Sequence, residues 1–241
     1  MVIPDSPAGA QPACFAGTVA GLVLAGGASR RMGADKAGLR LGPRPPSATA
    51  VAADRADGET LLAHACARLA LARHNGLIAA FAIAGGPENA ALCARLGTAF
   101  GAAVLSDPLP GHQGPLAGML AGLRWAAAGG HGRMVTIPVD TPFFPADLIA
   151  RLAADAGPAA CAACNGRTHP AFAALATGLA GDLAATLAGG GRRLMEWLAR
   201  QPGFHTVGFP ATENDDDPFS NLNACTDLAA ARRRLKRLAG A

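Results

Sequence analysis

Residues 18–25 form a short apolar run that ends in Gly26-Gly27, the pattern of a buried strand entering a tight loop. A helix is predicted from about residue 60, with Leu61, Leu62, Ala65 and Leu69 on one face. Residues 77–84 read as a strand that again ends in paired glycines, 88–96 as a helix and 102–105 as a short strand. Helix 116–128 starts after Gly114-Pro115, proline being tolerated in a first turn. Residues 134–139 are strand-like and run into Asp140; 145–155 are helical. Strand candidates follow at 159–164 and 171–175, helices at 179–187 and 192–200, and a strand at 206–209 before the acidic loop 213–217. A last helix begins at about residue 226. Strands alternating with helices at this spacing predict an α/β chain with a mostly parallel sheet. Residues 1–17, rich in Pro, Ala and Gly without periodicity, read as a mobile tail ahead of one domain spanning 18–241. Residues 43–58, with Pro43, Pro45 and Pro46, read as a surface insertion.

Composition narrows the function. The chain has 241 residues, 51% of them hydrophobic and only 16% charged, enough to fill a sizeable core and incompatible with a disordered chain. Its apolar runs are broken by Gly, Arg or Asp well before the roughly 18 residues of a membrane span. There is no Tyr and aromatics are 5%, which disfavours a binder that stacks single-stranded bases. The net charge of +4 is concentrated in Arg232, Arg233, Arg234, Lys236 and Arg237. These read as the solvated face of the last helix, with Leu228, Leu235 and Leu238 as its buried stripe, rather than as a nucleic-acid patch. Of six cysteines only Cys161 and Cys164 form a CxxC, without a second pair at zinc-site spacing, so they read as residues of a buried strand. No basic residue precedes the first apolar stretch, so no secretory signal is expected; the expected compartment is the cytoplasm, with reduced thiols.

The most informative stretch runs from Leu24, Ala25, Gly26 and Gly27 through Arg30, Arg31, Met32 and Gly33 to Asp35-Lys36. Two glycines after a strand let the backbone approach a ligand with its N–H groups exposed, and a following helix adds a partly positive N-terminus. Arg30, Arg31 and Lys36 supply cations for a polyphosphate. An ordinary strand-to-helix turn with surface arginines is the alternative. The loop has no GlyLysSer or GlyLysThr and not the GxGxxG spacing, which disfavours a P-loop ATPase and a dehydrogenase. Asp107 and Asp140 each follow a predicted strand. Ligands of an open parallel sheet sit at the carboxyl ends of its strands, where two carboxylates can hold Mg²⁺ that also binds phosphate oxygens. Each alone also fits a helix cap or turn.

The string from LeuAlaGlyGly through ArgMetGly to AspLys resembles the signature of Rossmann-like nucleotidyltransferases, and within them the molybdenum cofactor guanylyltransferase (MobA) family. Gly114-Pro115-Leu116-Ala117-Gly118 is similar to that family's segment after an Asp that contacts GTP; related cytidylyltransferases typically carry a serine-rich sequence there. Asp140-Thr141-Pro142 resembles its metal-binding turn, His169-Pro170 its HisPro pair, Gly191-Arg192-Arg193 its Gly-x-ArgArg helix start, and Phe219-Ser220-Asn221-Leu222-Asn223 its closing Phe-x-Asn-x-Asn segment. The likeness spans roughly residues 20–232.

The resemblance implies a single three-layer Rossmann-like domain, similar to nucleotide-diphospho-sugar transferases, that transfers GMP from MgGTP to Mo-molybdopterin and releases pyrophosphate. It implies Leu24, Ala25, Gly26 and Gly27 at base and phosphates, Arg31 and Lys36 neutralising phosphate charge, and Asp140 with Asp107 holding Mg²⁺. His169, Arg193, Asn221 and Asn223 would face the acceptor. The implied partners are GTP, Mo-molybdopterin and, transiently, other molybdenum cofactor proteins and acceptor molybdoenzymes, without nucleic acid or membrane. Three departures stand out: Ala84-Gly85-Gly86 where the family has an Asn-rich strand end expected to contact nucleotide, the 43–58 insertion beside AspLys, and Cys225 where Thr is common. A cytidylyl- or sugar-phosphate nucleotidyltransferase and a non-catalytic nucleotide-binding module are the competing readings.

Overall fold

Six successive apolar residues place Val19–Leu24 (β1) at the centre of a sheet, with Ala20, Leu22 and Leu24 facing one layer and Val23 the other. The computed structural model describes residues 18–26, 35–42, 59–106, 114–211, 217–223 and 225–239. β1 is parallel to Ala80–Ala84 (β4) on one side and to Arg133–Pro138 (β6) on the other, with Leu24 in register with Ala84 and Pro138. Ala103–Leu105 (β5) extends the sheet beyond β4 in the same direction. Beyond β6, Arg167–Ala176 (β8) runs antiparallel to β6 and to Ala159–Cys164 (β7), and His205–Gly208 (β9) is parallel to β7. The order is β5-β4-β1-β6-β8-β7-β9, with β8 opposed to the rest, which realises the expected mostly parallel sheet in one α/β domain.

Helices cover both faces. Leu61–His74 (α1), Ala90–Phe100 (α2), Leu148–Ala154 (α4) and Cys225–Ala239 (α7) contribute to one core; Pro115–Ala128 (α3), Ala180–Ala188 (α5) and Leu194–Ala199 (α6) to the other. Thr60 starts α1 by accepting from Ala63 N–H at 3.1 Å. Close approach of α3 depends on Gly122, where an added Cβ would lie 2.5 Å from Leu22 Cδ2 and 2.7 Å from Met134 Sδ. Trp197 of α6 is fully buried, and its indole donates to Asp182 of α5 at 2.6 Å, so the pair is packed and satisfied together.

Two features were absent from the hydrophobic pattern. The strand expected at 171–175 is the inner part of β8, which begins at Arg167. Its pairing slips: Cys161 opposes Ala173, but Ala162 opposes His169, so residues 170–172 form a bulge without partners on β7. Pro170, which lacks an N–H for the ladder, is accommodated there. Buried Thr136 of β6 donates its hydroxyl to Ala171 O at 2.7 Å and accepts from Ala173 N–H at 3.1 Å, supplying partners at the bulge. The second feature is an antiparallel ribbon of Arg40–Gly42 (β2) and Glu59–Thr60 (β3), which closes the two ends of segment 43–58. Residues 1–17 and 43–58 themselves lie outside the described residues. No helix among the described residues is long and apolar enough to cross a membrane.

Candidate active site

The carboxyl ends of β1 and β6 and the bulged half of β8 open onto a cleft of about 760 Å³. Leu24, Ala25, Gly26 and Lys36 form one side, Asp140 lies beyond the end of β6, and His169, Asn221 and Asn223 line the rest. Eight of the sequence candidates therefore converge on one cavity. Gly27, Arg31 and Asp107 lie outside the described residues. Arg193 does not join the cleft wall: it precedes α6 with its side chain 79% exposed and donates to Glu196 at 2.6 Å, while its neighbour Leu194 lines the cleft.

Lys36 is the junction. Asp35 starts a one-turn 3-10 helix, Lys36–Gly38, by accepting from Ala37 N–H at 3.2 Å, and that turn aims the lysine across the cleft. Its Nζ donates to Asp140 Oδ2 at 2.9 Å and to Asn223 Oδ1 at 2.8 Å. With side chains only 18% and 21% exposed, Lys36 and Asp140 form a charge-assisted contact partly shielded from water. The Asp140 carbonyl accepts from Leu222 N–H at 2.8 Å, and the Thr141 hydroxyl donates to Asn221 Oδ1 at 2.6 Å. The Asn-x-Asn segment is thus fastened to the AspThrPro turn by backbone and side chain. Behind that turn, Arg68 of α1 donates to the carbonyls of Phe144 and Pro145 at 3.2 and 3.0 Å and lies 3.9 Å over the Phe144 ring. Burial pushes its pKa down to about 10, still far above neutrality.

The glycine loop departs from expectation in one respect. Ala25 and Gly26 were read as backbone donors to phosphate, yet both N–H groups are donated to Ala84 O, at 2.9 and 3.0 Å. The Leu24 carbonyl accepts from Val139 N–H at 3.1 Å, and the Ala25 carbonyl from Asn89 Nδ2 at 2.9 Å. These residues wall the cleft with the N–H groups of Ala25 and Gly26 and the carbonyls of Leu24 and Ala25 already engaged, because β1 is held between β4 and β6 up to its last residue.

On the opposite side, His169 stacks on Phe219 with ring centroids 4.4 Å apart and 22° between planes. Burial lowers its pKa, opposed by Asp217 and reinforced by Arg167, so the ring is neutral near pH 7. Its Nε2 has no hydrogen-bond partner; the Asp217 carboxylate is 3.9 Å away, within ion-pairing reach of a protonated ring but too long for a hydrogen bond. Three residues that sequence reasoning left aside belong here. Asp217, read as part of a solvated acidic loop, lines the cleft and accepts from Phe219 N–H at 2.8 Å. Arg167, between the two strands expected at 159–164 and 171–175, lines it with Asp217 at 3.9 Å. Asn89 is buried behind the glycine loop. The nearness of Arg167 to the HisPro pair was a usable signal; Asn89 carried none, since the two partners that tie it to the site, Ala25 and Asp35, are 64 and 54 residues away.

The donor set suits a hard cation. Asp140 offers carboxylate oxygens in a polar cleft, where phosphate oxygens and water would complete the shell of Mg²⁺. Among the described residues no group of three or more His, Cys, Asp and Glu side chains could hold a metal ion by itself, so a metal here would depend on ligand oxygens.

Residues 21–203 match the family described as the MobA-like NTP transferase domain. A protein of Cereibacter sphaeroides named molybdenum cofactor guanylyltransferase is 45% identical over 219 residues, covering 90% of this chain and 97% of that protein. One of the same name from Burkholderia lata is 39% identical over 234 residues, covering 93% of this chain and all of that protein, 100%. Among solved structures, molybdopterin-guanine dinucleotide biosynthesis protein A of Archaeoglobus fulgidus superposes with a TM-score of 0.63 at 20% identity, covering 90% of this chain and 99% of that one, a likeness of fold.

Proposed function

Because this chain belongs to the MobA-like NTP transferase family, we propose that it is a molybdenum cofactor guanylyltransferase, transferring GMP from GTP to Mo-molybdopterin. An oxygen of the acceptor's terminal phosphate attacks the α-phosphorus of GTP, the bond from that phosphorus to the bridging oxygen breaks, and pyrophosphate leaves. The attacking phosphate is ionised near neutral pH, so no general base is needed, and positioning with charge neutralisation carries most of the acceleration. The observation that carries this reading is the Lys36–Asp140 contact at 2.9 Å, at the cleft where the carboxyl ends of β1 and β6 meet the Asn-x-Asn segment.

Leu24, Ala25 and Gly26 wall the nucleotide side, and Gly27 binds the nucleotide with them. Lys36 and Arg31 neutralise charge on the departing pyrophosphate. Mg²⁺, held by Asp140 with Asp107, would supply positive charge to the phosphate oxygens. Asn221 and Asn223 bind the acceptor, one oriented by Thr141 and the other by Lys36. His169 faces the acceptor with its ring stacked on Phe219, Arg167 adds a cation beside it, and Arg193 reaches the acceptor from outside the cleft wall. GTP and Mo-molybdopterin are the substrates, the cytoplasm is the compartment, and contacts with other molybdenum cofactor proteins and acceptor molybdoenzymes are transient. The tail 1–17 and the insertion 43–58 are appendages of one catalytic domain.

The test is pyrophosphate release with Mo-molybdopterin and either GTP or CTP. Release with GTP, outcompeted little by CTP, is expected; equal use of CTP would overturn the base assignment, and GTP binding without release would turn the protein into a binding module. Lys36→Ala is expected to weaken GTP use by about tenfold or more, the cost of one charge-assisted contact.

A further inference from the structure

We propose that Asn89 is a positioning residue for the nucleotide side of the cleft: it ties Ala25 to Asp35 and so sets the apparent affinity for GTP without touching it. This rests on the GTP reading above. Asn89 precedes α2 and is 3% exposed. Its carboxamide makes no capping bond to α2, although it caps the preceding 3-10 turn, Pro87–Asn89. Instead Nδ2 donates to the Ala25 carbonyl at 2.9 Å and to Asp35 Oδ1 at 3.3 Å, while Oδ1 accepts from Gly86 N–H at 3.0 Å and from Cys93 Sγ at 3.3 Å. Ala25 is where the chain leaves β1, and Asp35 is where it returns to deliver Lys36.

One buried amide therefore ties Ala25 to Asp35 on the nucleotide side of the cleft. Two wall residues held in place before the nucleotide arrives give up less freedom when it binds. The same Asp35 Oδ1 starts the turn that carries Lys36, so the clamp also fixes the cation aimed at Asp140. Glycine at residue 85 leaves room for this arrangement: an added Cβ would lie 2.5 Å from Cys93 Sγ and 2.8 Å from Asn89 Oδ1. Next to Ala84, where the sequence lacks the family's asparagine, the carboxamide of Asn89 fills the space beside Gly85.

The test uses the purified full chain and its Asn89→Ala and Asn89→Asp variants, with titration of a fluorescent GTP analogue, steady-state kinetics for both substrates, and amide hydrogen exchange without ligand. For Asn89→Ala the account predicts a rise of about tenfold in Kd and KM for GTP, the range for unpairing a buried polar partner. It also predicts kcat and the acceptor KM within about twofold, and faster exchange confined to residues 24–26 and 35–37. Asn89→Asp keeps the acceptor for Gly86 but loses the donor and faces the Asp35 carboxylate, so its KM for GTP is expected at least as high as that of the alanine variant. Unchanged GTP affinity with unchanged exchange at Ala25 and Asp35 would overturn the proposal. So would exchange accelerated across the whole sheet with kcat lowered and both KM values intact, which is a purely structural role. If the wild-type chain bound no GTP, the functional reading would fall, and local exchange would still decide whether Asn89 ties Ala25 to Asp35.

Discussion

Lys36 and Asp140 are 104 residues apart in sequence and 2.9 Å apart in the cleft, and Asn223 joins them at 2.8 Å. Removing one member leaves a half-shielded charge without its partner, in addition to any loss of chemistry. Thr141 gives a subtler test, because its fully buried hydroxyl fixes the orientation of Asn221 at 2.6 Å. Thr141→Val is expected to raise the acceptor KM severalfold with GTP affinity retained, the value of one hydrogen bond, and Thr141→Ser to restore it. Steady-state kinetics with each substrate varied in turn would show the split. At the far end of the sheet, His205 Nε2 pairs with Asp155 at 2.7 Å, and Asp155 also faces Arg133 at 3.5 Å. The Gly203 carbonyl first, then Asp155, raise the His205 pKa above its usual value. A raised folded pKa contributes stability that is full below the unfolded value near 6.5 and is lost as pH rises through the folded one. Wild-type stability is therefore expected to decline more steeply than that of His205→Gln from pH 6 upward, as read in urea unfolding at a series of pH values.

At the scale of elements, long periodic segments were legible and short ones were not. β7 falls on the expected 159–164, and α3 begins one residue before the expected 116, at the proline that the first turn tolerates. β2 and β3, three and two residues long, hold too few positions to display a period. The bulge of β8 was hidden because a proline in a strand signals only that the ladder is interrupted. That bulge turns His169 and Pro170 toward the cleft, and Thr136 supports it from β6. Thr136→Val would leave the buried Ala173 N–H without its partner, and a loss of about 1–3 kcal/mol is expected in denaturant unfolding, with no change in m. The candidate site was legible wherever a residue type and its neighbours carried chemistry: Lys36, Asp140, His169, Asn221 and Asn223 meet in one cavity. It was not legible where function comes from a distant hydrogen bond, as with Asn89, or where a loop turns inward, as with Asp217.

At the scale of the molecule, two helical layers leave the carboxyl edge of the sheet open, and α1 and α7 brace that edge from outside. Arg68 of α1 holds the turn after Asp140, while Arg232 of α7 donates to the Arg40 carbonyl at 2.9 Å, tying the last helix to the ribbon that closes the insertion. Donor and acceptor sides thus share one rigid frame with Lys36 between them, the arrangement that a direct transfer between two bound phosphates requires. The most direct measurement is single-turnover transfer of label from α-phosphate-labelled GTP to Mo-molybdopterin by the wild-type chain and by Asp140→Ala. The account predicts labelled dinucleotide and equimolar pyrophosphate from the wild type, with a loss of about 100-fold or more in the variant. Equal transfer by the two proteins would contradict it.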